Sequence, residues 1–167
     1  MQRRLLLVLS VWFVLMAACT APQHFWPQRD IAIDEINSDS LDKKLLIASR
    51  ESEFKAAIIS RVKEAYAGRD IYIRLVGIED LKKEDPQQYT AILIVNTCMG
   101  WDIDWRVKDF LNRCSDLNSV VVLTTADGED IYPQLEGRQV DAMSSASTSA
   151  KIDPLAEQII AKLHRLL

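Results

Sequence analysis

Histidine is almost missing from this chain: His24 and His164 are the only two, and they stand near opposite ends of the sequence. With so little imidazole, neither a histidine metal cluster nor a Ser-His hydrolase arrangement is supported. Positive charge is not in excess either, since 20 Lys and Arg face 24 Asp and Glu for a net charge of -4. Nothing here courts a phosphate backbone, so no nucleic-acid partner is expected. A chain of 167 residues is too short for two cores of ordinary size, and 49% apolar with 26% charged residues is a globular balance. The longest apolar run, Leu5 to Met16 and its flank, is interrupted by Ser10. At about 15 residues it falls short of the roughly 20 needed to span a bilayer. Only five glycines are present, and none lies at the first strand-to-helix turn. Cysteine is scarce as well. Cys98 should end a strand and Cys114 the helix returning from it, roughly 15 Å apart at 1.5 Å per residue, which opposes a disulfide. Both are expected to be reduced, Cys114 in the core and Cys98 as a candidate site thiol.

What is there is organised around residues 91 to 111. Ala91-Ile92-Leu93-Ile94-Val95 is an unbroken apolar run, as in a parallel strand covered on both faces. The period then lengthens to that of a helix, through Val107-Lys108-Asp109-Phe110-Leu111. The loop between them, with Thr97, Gly100 and Trp101, falls where open α/β sheets bind ligands, outside the carboxyl ends of the strands. Asp102 and Asp104 read as helix-capping carboxylates. Asp127-Gly128-Glu129-Asp130 reads as an acidic turn at the same edge.

Six further segments supply the other strands and helices of an alternating β/α chain. Lys44 to Ser49 is a strand, and Glu53 to Ala67 a helix whose Phe54, Ala57, Ile58, Val62, Ala65 and Tyr66 share a face, closed by Gly68. Ile71, Ile73 and Leu75 alternate with Tyr72, Arg74 and Val76, the pattern of an edge strand. Val120 to Thr125 is another buried strand and Val140 to Ser144 a last one. Pro154 to Leu167 is a closing helix with Leu155, Ile159, Leu163 and Leu166 in register, started by Asp153-Pro154. The expectation is an α/β three-layer sandwich around a five-stranded parallel sheet in the order 2-1-3-4-5.

Before the domain, Arg3-Arg4, the apolar run and Ala17-Ala18-Cys19 form a targeting segment. Leu15-Met16-Ala17-Ala18-Cys19 resembles the lipobox of bacterial lipoproteins. The resemblance implies removal of residues 1–18 and acylation of Cys19 by a chain such as palmitate, anchoring the protein to a membrane. Met16 departs from the usual Leu. Thr20, in place of a retaining Asp, implies the outer membrane facing the periplasm in a Gram-negative envelope. Losing Arg3 and Arg4 makes the mature protein more acidic, from -4 to -6. Residues 19–42, with Pro22, Pro27, Asn37, Ser38 and Asp39 and only Ile31, Ile33 and Ile36 as a weak apolar series, read as a tether with room for one short packed piece. The globular domain is expected over 43–167.

That domain resembles a flavodoxin. The likeness rests on the order of elements, on Asn96-Thr97-Cys98-Met99-Gly100-Trp101 where flavodoxins carry a loop flanking the flavin ring, and on the helix after it. It implies FMN as cofactor, a role in electron transfer, and contacts from Ser49, Ser52, Thr97, Gly100 and Trp101, with Trp101 stacking on the ring or packing the loop down. The first turn, Ser49-Arg50-Glu51-Ser52-Glu53-Phe54, departs from the family's Gly-rich phosphate turn. Glu51 and Glu53 would meet the phosphate as like charges at the helix N-terminus, and Arg50 is expected to pair with a neighbouring glutamate.

Asp141-Ala142-Met143-Ser144-Ser145-Ala146-Ser147 resembles the acceptor motif of exported flavoproteins whose FMN is esterified to a hydroxyl. The resemblance makes Ser147 the acceptor, with Ser in place of the usual Thr; the plainer reading is a small-residue loop whose hydroxyls satisfy the backbone. Two functions are therefore carried forward: an envelope FMN protein for electron transfer or an accessory role, with flavin bound freely or through Ser147, and a cofactor-free binding module on the same fold.

Overall fold

A computed structural model describes residues 28–99, 102–127 and 131–167. Residues 1–27, Cys19 among them, lie outside the described residues, as do Gly100, Trp101, Gly128, Glu129 and Asp130.

Three apolar runs build the middle of the sheet. They are β2 (Lys44–Ser49), β4 (Ala91–Thr97) and β5 (Val120–Ala126), in which Leu45 to Ala48, Ala91 to Val95 and Val120 to Leu123 are all buried. Strands sealed on both faces need apolar side chains on both, which is why these segments do not alternate. β3 (Tyr72–Gly77) and β6 (Asp141–Ala146) lie outside them, and β1 (Asp34–Ile36) lies outside β3.

The sheet is thus six-stranded and mixed, in the order β1-β3-β2-β4-β5-β6, which corrects the expected five-stranded, all-parallel sheet. The five parallel strands alone follow one another as second, first, third, fourth and fifth. The addition is β1, whose Asp34, Glu35 and Ile36 run antiparallel to Leu75, Arg74 and Ile73. Its pairing removes the edge expected at β3, and Tyr72 and Val76 are buried rather than exposed, Val76 in the face cluster that holds Ile78 and Leu81. The alternation around Arg74 has another cause: the guanidinium is spent on Glu84 and Glu35. Asn37, with φ 65°, ends β1 in the left-handed region, and its amide donates to the carbonyls of Arg69 (3.1 Å) and Ile71 (2.7 Å). The packed piece of the tether is therefore an integral strand.

Helices cover both faces. α1 (Glu53–Tyr66) and α3 (Ile152–His164) pack Ile58, Val62, Leu155 and Ile159 against Leu45, Ile47, Leu93 and Val95. α2 (Trp105–Arg113) and the 3-10 turn Ile78–Lys83 cover the opposite face through Val107, Phe110, Ile78 and Leu81 against Leu46, Ile92 and Ile94. The last helix begins two residues before Pro154, so proline stands in its first turn and Asp153 inside it rather than at its cap. The carboxyl ends of β2, β4, β5 and β6 leave the sheet together, and the site is found there.

Candidate functional site

Ser52 leaves β2 in extended conformation and caps α1, its hydroxyl accepting from the Lys55 amide at 3.2 Å. That cap sets the helix start, and with it the side chain of Lys55, one turn inside. Lys55 falls three and four positions before Ile58 and Ile59, so it shares their buried stripe and is only 4% exposed. Its ammonium donates to the hydroxyl of Thr97, the last residue of β4. Among the described residues no carboxylate pairs with it. Burial, and next the positive charge of Arg50, push the Lys55 amine down to about 8, with Asp30 offsetting part of the shift.

Around this amine lies an open groove of about 540 Å³, lined by Gln28, Arg29, Glu51, Ser52, Phe54, Lys55, Thr97, Thr125 and Ser147. Three residues singled out from the sequence, Ser52, Thr97 and Ser147, are brought together here, and Ser147 is exposed. Ser49 is not with them. It is fully buried at the end of β2, with its hydroxyl donating to the carbonyls of Arg50 (2.9 Å) and Val95 (3.2 Å). Gly100 and Trp101 lie outside the described residues. Thr125 joins from β5, its hydroxyl donating to the Asn96 carbonyl at 3.1 Å.

Glu51 lines the groove, as expected, but a cation not foreseen stands beside it, and Arg50 has other partners than expected. Glu51 and Glu53 are both exposed, and the buried charge beside the start of α1 is the cation Lys55. Arg50 turns away from the groove into an ion cluster, 2.7 Å from Asp30 and 2.7 Å from Asp104, with Glu79 at 3.8 Å. Its partners are therefore not the adjacent glutamates. Asp104 caps α2 by accepting from the Arg106 amide at 3.0 Å. Burial would raise its carboxyl, but the hydrogen bonds from Arg50 and the Arg106 amide hold it below the usual carboxylate range. Among the described residues, Arg50 Nε is the buried side-chain polar atom left without a partner.

Lys55 was not singled out from the sequence, although a signal was there. A lysine on the apolar stripe of a helix, one turn after a strand end, has its amine at the carboxyl edge. Long lysine stems often lie along apolar surface with the charge in water, which hides the buried case.

No family model matches this sequence, and no curated protein does. Solved structures do. An oxidoreductase from Corynebacterium diphtheriae is similar over 76% of this chain and 97% of its own, at a TM-score of 0.50 and 11% identity. The Flv1 flavodiiron core from Synechocystis sp. PCC6803 gives 0.48 and 9%, over 76% of this chain and 36% of its own. A flavodoxin from the domain Archaea gives 0.47 and 8%, over 74% and 98%. Identities this low speak to fold alone, and it is the order of the five parallel strands, with helices on both faces, that makes the domain flavodoxin-like.

The groove is compatible with the phosphate end of FMN. It offers one buried cation, the start of α1 and the hydroxyls of Ser52, Thr97, Thr125 and Ser147, a donor set suited to an anion, with the exposed Arg29 and Glu51 adding one charge of each sign to the lining.

Proposed function

We propose that this protein is a lipid-anchored envelope protein that holds FMN at the carboxyl edge of its sheet and serves in electron transfer. The observation that carries the reading is Lys55: a buried ammonium, tied among the described residues to the Thr97 hydroxyl and facing a groove large enough for a ligand. Uncompensated buried charge is costly, and an anionic ligand in the groove relieves that cost. Lys55 and Ser52 hold the phosphate, with Thr97 orienting the amine and Ser147 closing the opposite side. When bound, the flavin supplies one- and two-electron chemistry; the chain supplies binding, orientation and electrostatics. A phosphoester at Ser147 is the covalent form of the same reading, since that hydroxyl is exposed on the groove. The lipid on Cys19 and the periplasmic address belong to this proposal through the lipobox-like sequence.

The test is absorbance and binding. Protein purified from its native envelope is expected to be yellow, with a band near 450 nm as is roughly usual for flavins, or to take up added FMN with quenching of its fluorescence. Colourless protein that gains no mass in a host able to attach flavin, and that neither quenches FMN nor melts higher in its presence, contradicts the reading. One observation favours the alternative, a cofactor-free binding module: residues 29–31 lie along Ser49 to Glu51, and Arg50 is withdrawn into the ion cluster. On that reading the groove takes a different anion and FMN does not bind.

A further inference from the structure

One wall of the groove comes from outside the alternating β/α unit. Gln28 and Arg29, on the stretch that leads in from the tether, line it beside Lys55 and Ser147. The stretch is laid down by backbone pairing, with the Glu51 amide donating to the Arg29 carbonyl at 2.7 Å and the Ile31 amide to the Ser49 carbonyl at 3.5 Å.

Between those pairs Asp30 acts as a lock. One carboxylate oxygen accepts from Arg50 Nη1 at 2.7 Å and the other from the Glu79 amide at 2.8 Å. Gly77 makes room for it, because a Cβ there would stand 2.5 Å from both Cβ and Oδ2 of Asp30. Through the second arm of Arg50 the lock reaches Asp104 at 2.7 Å, the cap of α2. The Asp104 amide in turn faces the Asn96 side-chain oxygen at 3.5 Å, beside Thr97. The tether end, the first turn and the loop after β4 are thus joined through one guanidinium.

We infer that residues 28–31 complete the site as a detachable wall, and that docking of the tether end is coupled to occupancy of the groove. The inference rests on the groove being the binding site of the preceding proposal. A ligand touching both walls favours the docked form, and whatever undocks the wall weakens that ligand by the same factor. Cys19 lies nine positions before Gln28. At full extension that leash is roughly 30 Å, so an anchor at Cys19 holds the wall close to its membrane.

The experiment uses the full chain and two readouts that need no flavin. Exchange of the Glu51 amide reports docking, and acetylation of Lys55 by a small amine reagent, read by mass spectrometry, reports the groove. The backbone at Gly77, φ -70° and ψ 158°, suits alanine, so Gly77→Ala acts through the crowding of Asp30. It is expected to speed Glu51 exchange about 100-fold and Lys55 acetylation about tenfold while unfolding stays cooperative. Asp30→Asn, which leaves Gly77 alone, is expected to give the same pattern at a smaller amplitude. Glu51 exchange that rises with Lys55 acetylation unchanged overturns the wall; Glu51 protection kept in both variants overturns the lock. Failure of FMN to bind the wild type would sink the flavin reading and leave these two readouts to decide the wall.

Discussion

Lys55 is held where an unbonded cation is expensive, and its acid-base behaviour exposes the cost. Its folded-state value of about 8 lies below the ordinary 10.5, so between those two pH values the unfolded chain binds more protons than the folded one. Stability therefore rises with pH through this window, and the full penalty is present below pH 8. Lys55→Met is expected to stabilise the apo domain at pH 7 by up to about 3 kcal/mol, an advantage that fades as pH approaches 10.5. Melting curves of both proteins across that range check the sign. A destabilising Lys55→Met would mean that the stem, rather than a stored charge, is what the site keeps.

Cys114 carries the opposite lesson, of a group that burial makes inert. Its thiol is pushed up to about 11 by burial, against a partial pull from Arg138 and Arg113, and it donates to the Phe110 carbonyl. Cys98 and Cys114 are both free thiols. At pH 8 a thiol reagent is expected to label half-buried Cys98 in the native protein and Cys114 only on unfolding. Equal labelling in the native state would place Cys114 at the surface.

At the scale of elements, legibility follows whether the determining contacts are local. β2 was readable with its bounds because Leu45 to Ala48 are apolar on both faces, and α1 because its stripe repeats within one segment. β1 was not. Three residues, Asp34, Glu35 and Ile36, have no strand pattern of their own, and their structure is supplied by the free edge of β3 nearly forty residues later. The same non-local pairing turned the expected edge into an interior position. Likewise the partners of Arg50 come from residues 30 and 104, which no local spacing connects. The groove was half legible: strand ends identify themselves in sequence, but the residues that face one another across the carboxyl edge do so only once strand order and register exist.

The central strand offers the direct check on this layering. Leu93 is fully buried on the face covered by α1 and α3, while Ile92 and Ile94 face α2. Leu93→Ala is expected to cost about 2–5 kcal/mol, as large-to-small changes in packed cores do. Denaturant unfolding measures it, and a loss below about 1 kcal/mol would mean that β4 is not central.

For the whole molecule, the address and the chemistry are separate claims. The anchor predicts that Cys19→Ala releases the protein from membranes or leaves an uncleaved precursor; unchanged size and unchanged detergent partitioning would remove the lipid from the account. The chemistry cannot be taken from the fold, because flavodoxin-like sheets serve many ligands, and it turns instead on one ammonium in one groove. The measurement that bears on it most directly is a titration of FMN into apo wild type and apo Lys55→Met at pH 7, followed by flavin fluorescence. The account predicts saturable quenching by the wild type and an affinity at least about tenfold weaker in the variant, the equivalent of 1.4 kcal/mol or more. Equal affinities in the two proteins, or no quenching by either, would contradict it.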